Sequence, residues 1–307
     1  MIHRLSFRAM GTHMLACLDV DSHQAPSVLA EVPAWFEGWE QTLSRFRLDS
    51  ELSRLNHSAG RPVPVSEVLW QVFQASLYAA STTDGLVTPT VAESMLEFGY
   101  DRDFELLAGA RIPSRPPILT EIRPLSTVAW DEDEHTLCLP EGVHLDFGGV
   151  AKGWAAHHAM LRLSEYGPAL MNAGGDVASS GPLHNGGSWE ISIINPFTRR
   201  EEDSLGTILL RGEAVATSGT DRRRWLQGGF LRHHIIDPHT GLPAQTDVLT
   251  ATVVAPTVLE AEAAAKSALI RGSQAGIAWI DAEPSLAGML ILEDGQGLYN
   301  ERLKKYL

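Results

Sequence analysis

Three histidines, an aspartate, a proline and a glycine crowd into HHIIDPHTG, residues 233–241. Asp237-Pro238 and Thr240-Gly241 are turn formers, so one reading is a strand ending in a turn. In a strand over His233–Ile236, alternation puts His234 and Ile236 on one face and Ile235 on the other. The sharper reading is a strand that delivers His234 and Asp237 into a reactive cleft.

Four other segments carry chemistry-bearing residues with comparable ambiguity. LDFGGVAKGW (Leu145–Trp154) reads as a strand turning through two glycines into a helix. It is either a tight connection or a place where the backbone approaches a phosphate at a helix N-terminus, with Lys152 adding a point charge. MNAGGDVASSG (Met171–Gly181) places Gly174 and Gly175 after a strand, and a hairpin turn is the simpler reading. VATSGTDRRR (Val215–Arg224) reads as a loop whose hydroxyls, Thr217 and Ser218 first, and arginines suit an anion. LEAEAAAKSALIRG (Leu259–Gly272) reads as a helix in which Glu262 and Lys266 form a favourable i,i+4 ion pair.

Several chemistries are excluded by pattern. GGVAKG is not a phosphate loop, because Lys152 precedes Gly153 rather than following a glycine and leading into Ser or Thr. No GxGxxG, HExxH, GxSxG or paired CxxC occurs. The adjacent His157 and His158 face different directions and make a poor chelate.

The elements that must hold these residues are mixed. The chain has 307 residues, and with 44% of them hydrophobic a packed core is expected. A net charge of −14 argues against a nucleic-acid partner, since phosphate neutralisation needs clustered cations. An anionic ligand would have to be met by a local arrangement of amides, a few cations or a metal. The two cysteines, Cys17 and Cys138, far apart in sequence, suggest a reducing compartment or simply no disulfide framework. No apolar stretch reaches the length of a membrane span and no export leader is read, so a cytoplasmic location is expected. A leader outside this sequence would make it periplasmic or surface-bound instead.

Thr12–Val20 alternates like a strand, while Pro26–Phe46 and Ser66–Thr83 carry helical spacing, the second opened by Ser66 as N-cap. The proline-rich run Gly109–Pro124 reads as an irregular surface connection, either a divide between two subregions or a long surface loop. Short strands are expected at Ser126–Trp130 and His135–Leu139, a helix at Gly149–Glu165 and a strand at Ala169–Asn172. Further strands follow at Trp189–Ile194, Thr207–Leu210, His233–Ile236 and Leu249–Val254. Helices at Val258–Ile270 and Ser273–Asp281 precede a terminal strand pair near Ala287–Leu292. The regular strand–helix alternation of a doubly wound sheet is missing, and the fold class is α+β.

In order, AMGT, LSRFRLDSELSRLN, TDGLVTPTV, LDFGGVAKGWAA, NAGGD, TSG, HHIIDPHTG and PTVLEAEAAAKSALIRG resemble the ApbE family of FAD:protein FMN transferases, from about Phe7 to about Leu292. The resemblance implies one α+β unit over 1–307, related to the T-fold, with two intertwined subregions and a flavin cleft between them. It implies FAD as substrate, Mg²⁺ on the pyrophosphate, release of AMP, and transfer of FMN to a Thr or Ser hydroxyl of an acceptor flavoprotein. Hydrolysis of FAD to FMN and AMP, or FAD binding without turnover, are the alternatives it leaves.

By position, the resemblance assigns flavin or FAD contacts to Met10, Phe46, Leu86, Val87, Thr88, Asp146 and Lys152. It places His234 near the reacting phosphate as the candidate base and makes Asp237 the holder of its turn. The Gly149 carbonyl and Glu262 fall at metal-ligand positions. The departures cluster there: the family's helix carries Asp and then Thr four residues on, where this chain has Glu262 and Lys266. Thr88 and His157 stand where Asp is usual. A protonated Lys266 cannot ligate a cation. Either Glu262 and Gly149 keep the metal with Lys266 turned aside, or Lys266 replaces it as the counter-charge, or the site only binds.

Overall fold

The computed structural model describes residues 1–58, 60–107, 112 and 121–307, the side chain of Glu201 excepted. The Gly109–Pro124 stretch, and with it the choice between divide and loop, lies outside the described residues save Ile112 and residues 121–124. The chain divides into two compact units, one of Met1–Phe36, Lys152–Asp221 and Thr246–Leu307, the other of Glu37–Ala151 and Arg222–Gln245.

The first unit is built on an eight-stranded antiparallel sheet. Its strands, in spatial and in chain order alike, are Ile2–Ala9, Thr12–Asp19, Ala169–Ala173, Asp176–Ser179, Ala214–Gly219, Val248–Ala255, Ala287–Leu292 and Gly297–Tyr299. Val248–Ala255 is buried along its whole length, as a central strand covered on both faces must be. On one face Val177, Val215 and Val254 pack with Trp189, Ile193, Ile208 and Leu210 of the paired strands Trp189–Ile194 and Ser204–Leu210. Alternation turns Ala216 and its cross-strand partner Val253 to the opposite face.

The Val258–Arg271 helix packs on Ala214–Gly219 and Val248–Ala255. Its start is fixed by a capping box in which Thr257 and Glu260 satisfy each other's backbone amides. Five of its buried positions are alanines, so its backbone lies close to whatever it packs on. The neighbouring helix Ser273–Ala282 comes so close that a Cβ on Gly276 would strike the Ala268 carbonyl.

The second unit carries the helices Glu51–Asn56, Glu67–Thr82 and Ala92–Glu97, with Ser50 and Ser66 as N-caps of the first two. Residues 37–43 of the Val32–Leu43 helix belong to it as well. A small sheet joins Val63–Pro64, Thr136–Cys138 and Ala129–Asp131. The hairpin Arg224–Gln227/Phe230–His233 is held to the segment after Ala92–Glu97 by Trp225 and Gln227. Trp225 Nε1 donates to the Phe98 carbonyl at 2.8 Å, and Gln227 Nε2 to the Glu97 carbonyl at 3.0 Å.

Two expectations from the sequence are corrected. Ala214–Gly219, read as part of an anion-binding loop, is a central sheet strand, its serine and threonine hydroxyls tolerated because the strand borders partly polar neighbours. The strand expected over His233–Ile236 is two strands. Phe230–His233 pairs with Arg224–Gln227, then the chain bends at His234–Ile235, and Ile236–Asp237 pairs with Leu242–Pro243. A continuous strand would turn Ile235 and Ile236 to opposite faces; the bend buries both, each 5% exposed.

Candidate active site

In the first unit, four charged side chains from three elements meet. Lys152 stands in the first turn of the Ala151–Ser164 helix and donates through Nζ to Asp176 Oδ2 and, at 3.0 Å, to Glu262 Oε1. Lys266, one turn beyond Glu262 on the Val258–Arg271 helix, donates to the same Oε1 at 2.8 Å. The other oxygen, Oε2, accepts the Gly153 amide at 3.0 Å. A Cβ at Gly153 would lie 2.5 Å from Glu262 Oε2, so a side chain there would displace the carboxylate from this position.

The carboxylates form the buried part of the cluster, with side chains 4% exposed at Asp176 and 1% at Glu262. The lysine side chains retain 17% and 14%. Burial alone would raise the Glu262 carboxyl, but Lys152 and Lys266 together outweigh it and hold it below its ordinary value. Asp176 goes the other way: burial, aided by the Glu262 charge, keeps it raised against the pull of Lys152.

The remaining candidates of this unit occupy turns and strands. Met10 and Gly11 form the two-residue turn between the first two strands, both with positive φ, 48° at Met10. Gly174 and Gly175 form the corresponding turn between Ala169–Ala173 and Asp176–Ser179. So NAGGD is the hairpin turn its glycines suggest, and the same turn delivers Asp176 to Lys152. Thr217 is exposed and shares a hydrogen bond with the Thr252 hydroxyl at 2.9 Å, whereas Ser218 is buried.

In the second unit, Asp146 is committed to local contacts. Its Oδ2 accepts from Arg45 Nε at 2.5 Å, and its Oδ1 caps the Phe147–Gly149 turn by accepting the Gly148 amide at 2.6 Å. Arg45 also donates to the Tyr100 carbonyl at 2.6 Å and lies over the Phe46 ring, 4.1 Å from its centre. Phe46, Tyr100 and Trp225 thus form a contiguous aromatic group, with ring centres 5.6 Å and 5.3 Å apart. Leu86 and Val87 are buried and their amides are taken by Thr83, while Thr88 caps the turn that follows through Thr90. Gly149 ends the single turn begun at Phe147.

His234 sits half-buried at the bend, and Asp237 builds the turn beyond it. Asp237 Oδ1 accepts the His239 amide at 2.9 Å, and its carbonyl accepts that of Gly241, also at 2.9 Å. The bend itself is stitched by the neighbouring His233. The His233 Nδ1 accepts the Ile235 amide at 3.3 Å, leaving Nε2 to donate to the Ala244 carbonyl at 3.1 Å. Burial lowers its pKa and favours that neutral tautomer.

Sequence reasoning passed over Arg45, Asp176 and His233. Arg45 and Asp176 lie inside segments already singled out, LSRF and NAGGD, but nothing local tells which charge a distant element will meet. His157, where the resemblance expects Asp, is partly buried, and that burial lowers its pKa.

The donor set does not fit a divalent cation at Glu262. Mg²⁺ asks for about six oxygen ligands at ~2.1 Å, and here Oε1 faces two ammonium groups while Oε2 holds a backbone amide. A dication ~4 Å from either ammonium would meet a repulsion of order 8 kcal/mol at an effective dielectric constant of ~20. Among the described residues, no group of three or more His, Cys, Asp or Glu side chains is placed to hold a metal. Nor is any helix among them long and apolar enough to cross a membrane.

Known proteins resemble this chain along nearly its whole length. The ApbE family model matches residues 10–290, and the chain belongs to that family. FAD:protein FMN transferase of Salmonella typhimurium is 28% identical over 305 residues, covering 95% of this chain and 85% of that protein. The protein of the same name from Treponema pallidum is 29% identical over 290 residues, covering 87% and 78%. Among solved structures, the ApbE protein of Thermotoga maritima superposes with a TM-score of 0.88 at 26% identity, over 100% of this chain and 99% of that one.

Proposed function

We propose that this chain is a flavin transferase that moves FMN from FAD to a Thr or Ser hydroxyl of an acceptor protein and releases AMP. The observation that carries this reading is the likeness, along nearly the whole chain, to relatives named FAD:protein FMN transferase. The reaction is a displacement at phosphorus. The acceptor oxygen forms a bond to the FMN phosphorus, the bridging P–O bond breaks, and AMP leaves with the electron pair.

The chain's own residues suit the demands of that step. Lys152 and Lys266 hold two ammonium groups on a buried carboxylate floor, ready for the negative oxygens of a pyrophosphate. The His234 imidazole receives the hydroxyl proton as the new bond forms. Asp237 fixes the turn next to it by accepting three backbone amides, that of His239 through its side chain and those of Thr240 and Gly241 through its carbonyl. The aromatic group of Phe46, Tyr100 and Trp225 is of the kind that packs against a flavin ring.

The test is incubation of the purified protein with FAD and a Thr-bearing acceptor peptide, with AMP and peptide-bound flavin followed by chromatography. AMP with flavin on the peptide is the expected result. AMP with free FMN would make the chain a pyrophosphatase, and bound FAD with no AMP would make it a flavin-binding protein.

A further inference from the structure

We infer that the Lys266 ammonium occupies the role of a divalent cation in this chain, so that the pyrophosphate of FAD is neutralised by the Lys152–Lys266 pair without metal. The inference rests on the proposed transferase reading for the identity of the anion. It rests on geometry for the rest.

Two positive groups converge on one oxygen of a carboxylate that is only 1% exposed, at 3.0 Å from Lys152 and 2.8 Å from Lys266. Two ammonium groups take Oε1 of this carboxylate, and Oε2 of the buried side chain accepts the Gly153 amide. The cluster contains two ammonium and two carboxylate groups and balances internally, so it needs no further cation to be stable where it lies. Its accessible part is cationic, because both lysine side chains keep more exposure than either acid. An anion approaching it meets N–H donors first.

Lys266 is also held where it is. Its position one helical turn after Glu262 places the two side chains on the same face, and the Thr257–Glu260 capping box fixes the start of that helix. The ammonium is therefore preorganised by a structural contact rather than left on a mobile stem, which is what a charge that must serve at the reacting phosphate requires.

The experiment combines two readouts on wild type and on Lys266→Thr, with circular dichroism to confirm that the variant folds and Lys266→Met as the substitute if it does not. The first is AMP release from FAD in EDTA and in Mg²⁺. The second is a titration with Mn²⁺ followed by electron paramagnetic resonance. For wild type, AMP release within about twofold in the two media and no Mn²⁺ site tighter than about 1 mM are expected. Lys266→Thr should lose about 100-fold in EDTA, the usual scale for removing a transition-state charge partner, and recover part of it with Mg²⁺. AMP release by wild type that EDTA abolishes and Mg²⁺ restores would overturn the inference. So would a stoichiometric Mn²⁺ site in wild type that Glu262→Gln removes. Should wild type release no AMP in either medium, the transferase reading fails, and the Mn²⁺ titration still decides whether Lys266 holds the cation's place.

Discussion

Lys152 and Lys266 meet on a single oxygen atom, Oε1 of Glu262, although one belongs to the Ala151–Ser164 helix and the other to the Val258–Arg271 helix. The shared acceptor ties the two helices together where the Gly153 amide also reaches Glu262. Asp176 takes the other side of Lys152 and gives the paired ammonium groups a second acceptor. The cluster is one electrostatic object, and its members cannot be changed independently.

Glu262→Gln should therefore be costly. It leaves two ammonium groups with Asp176 as their one remaining carboxylate, and breaking a buried pair costs about 3–5 kcal/mol. Urea unfolding should show the midpoint falling accordingly. A loss below about 1 kcal/mol would mean that solvent, not Glu262, satisfies the lysines.

His233 and His234 should separate cleanly. His233→Ala removes the ring that bridges Ile235 and Ala244, and leaving two buried backbone groups unsatisfied should cost about 2 kcal/mol of stability. His234→Ala should change stability by less than about 1 kcal/mol, yet lower AMP release by about 100-fold as a proton acceptor is lost. Equal effects of the two variants on stability and on turnover would contradict this division.

Acid should weaken the fold partly through His158. Burial, with His157 and Arg162 nearby, lowers its pKa from 6.5 to about 4, and its ring lies 4.2 Å from that of Trp154. The unfolded chain then takes up this proton first as pH falls, so the associated stability is full above 6.5 and is lost on the way down to about 4. Discounted for its partial exposure, the loss between pH 7 and pH 5 should be about 1 kcal/mol. Unfolding free energies from urea titrations at the two pH values should differ by that much less in His158→Gln.

Met10 is held at a positive φ that a side chain resists. Met10→Gly should relieve that strain against a small entropic cost and raise stability by about 0.5 kcal/mol. If Met10 contacts the flavin, the same change weakens FAD binding several-fold, which a fluorescence titration would read. A variant both less stable and unaltered in FAD affinity would oppose the assignment.

Much of the scaffold was legible wherever the signal is local. Ser66 caps its helix as its type and place suggest, and the helix expected at Val258–Ile270 runs Val258–Arg271. The Glu262–Lys266 pair follows from i,i+4 spacing alone. What escaped depends on distant partners. Ala214–Gly219 reads as a loop because its hydroxyls and terminal glycine are turn-like, and only pairing to Val248–Ala255 makes it a strand. Asp176 looks like a hairpin residue until Lys152 arrives from another element. Asp146 looks free for a ligand until Arg45 claims one oxygen and Gly148 the other.

The order of strands in the large sheet has a consequence for birth on the ribosome. Thr12–Asp19 pairs with Ala169–Ala173, and the sheet is completed only by Ala287–Leu292 and Gly297–Tyr299. At about 5–20 residues per second, the opening hairpin waits on the order of ten to thirty seconds for its first neighbour. Throughout that interval the inner edge of Thr12–Asp19 offers unpaired amides and carbonyls to any passing chain. The nascent protein thus depends on a shielded exit from the ribosome more than its finished form would suggest, and refolding from denaturant, where the whole chain is available at once, should be the easier route.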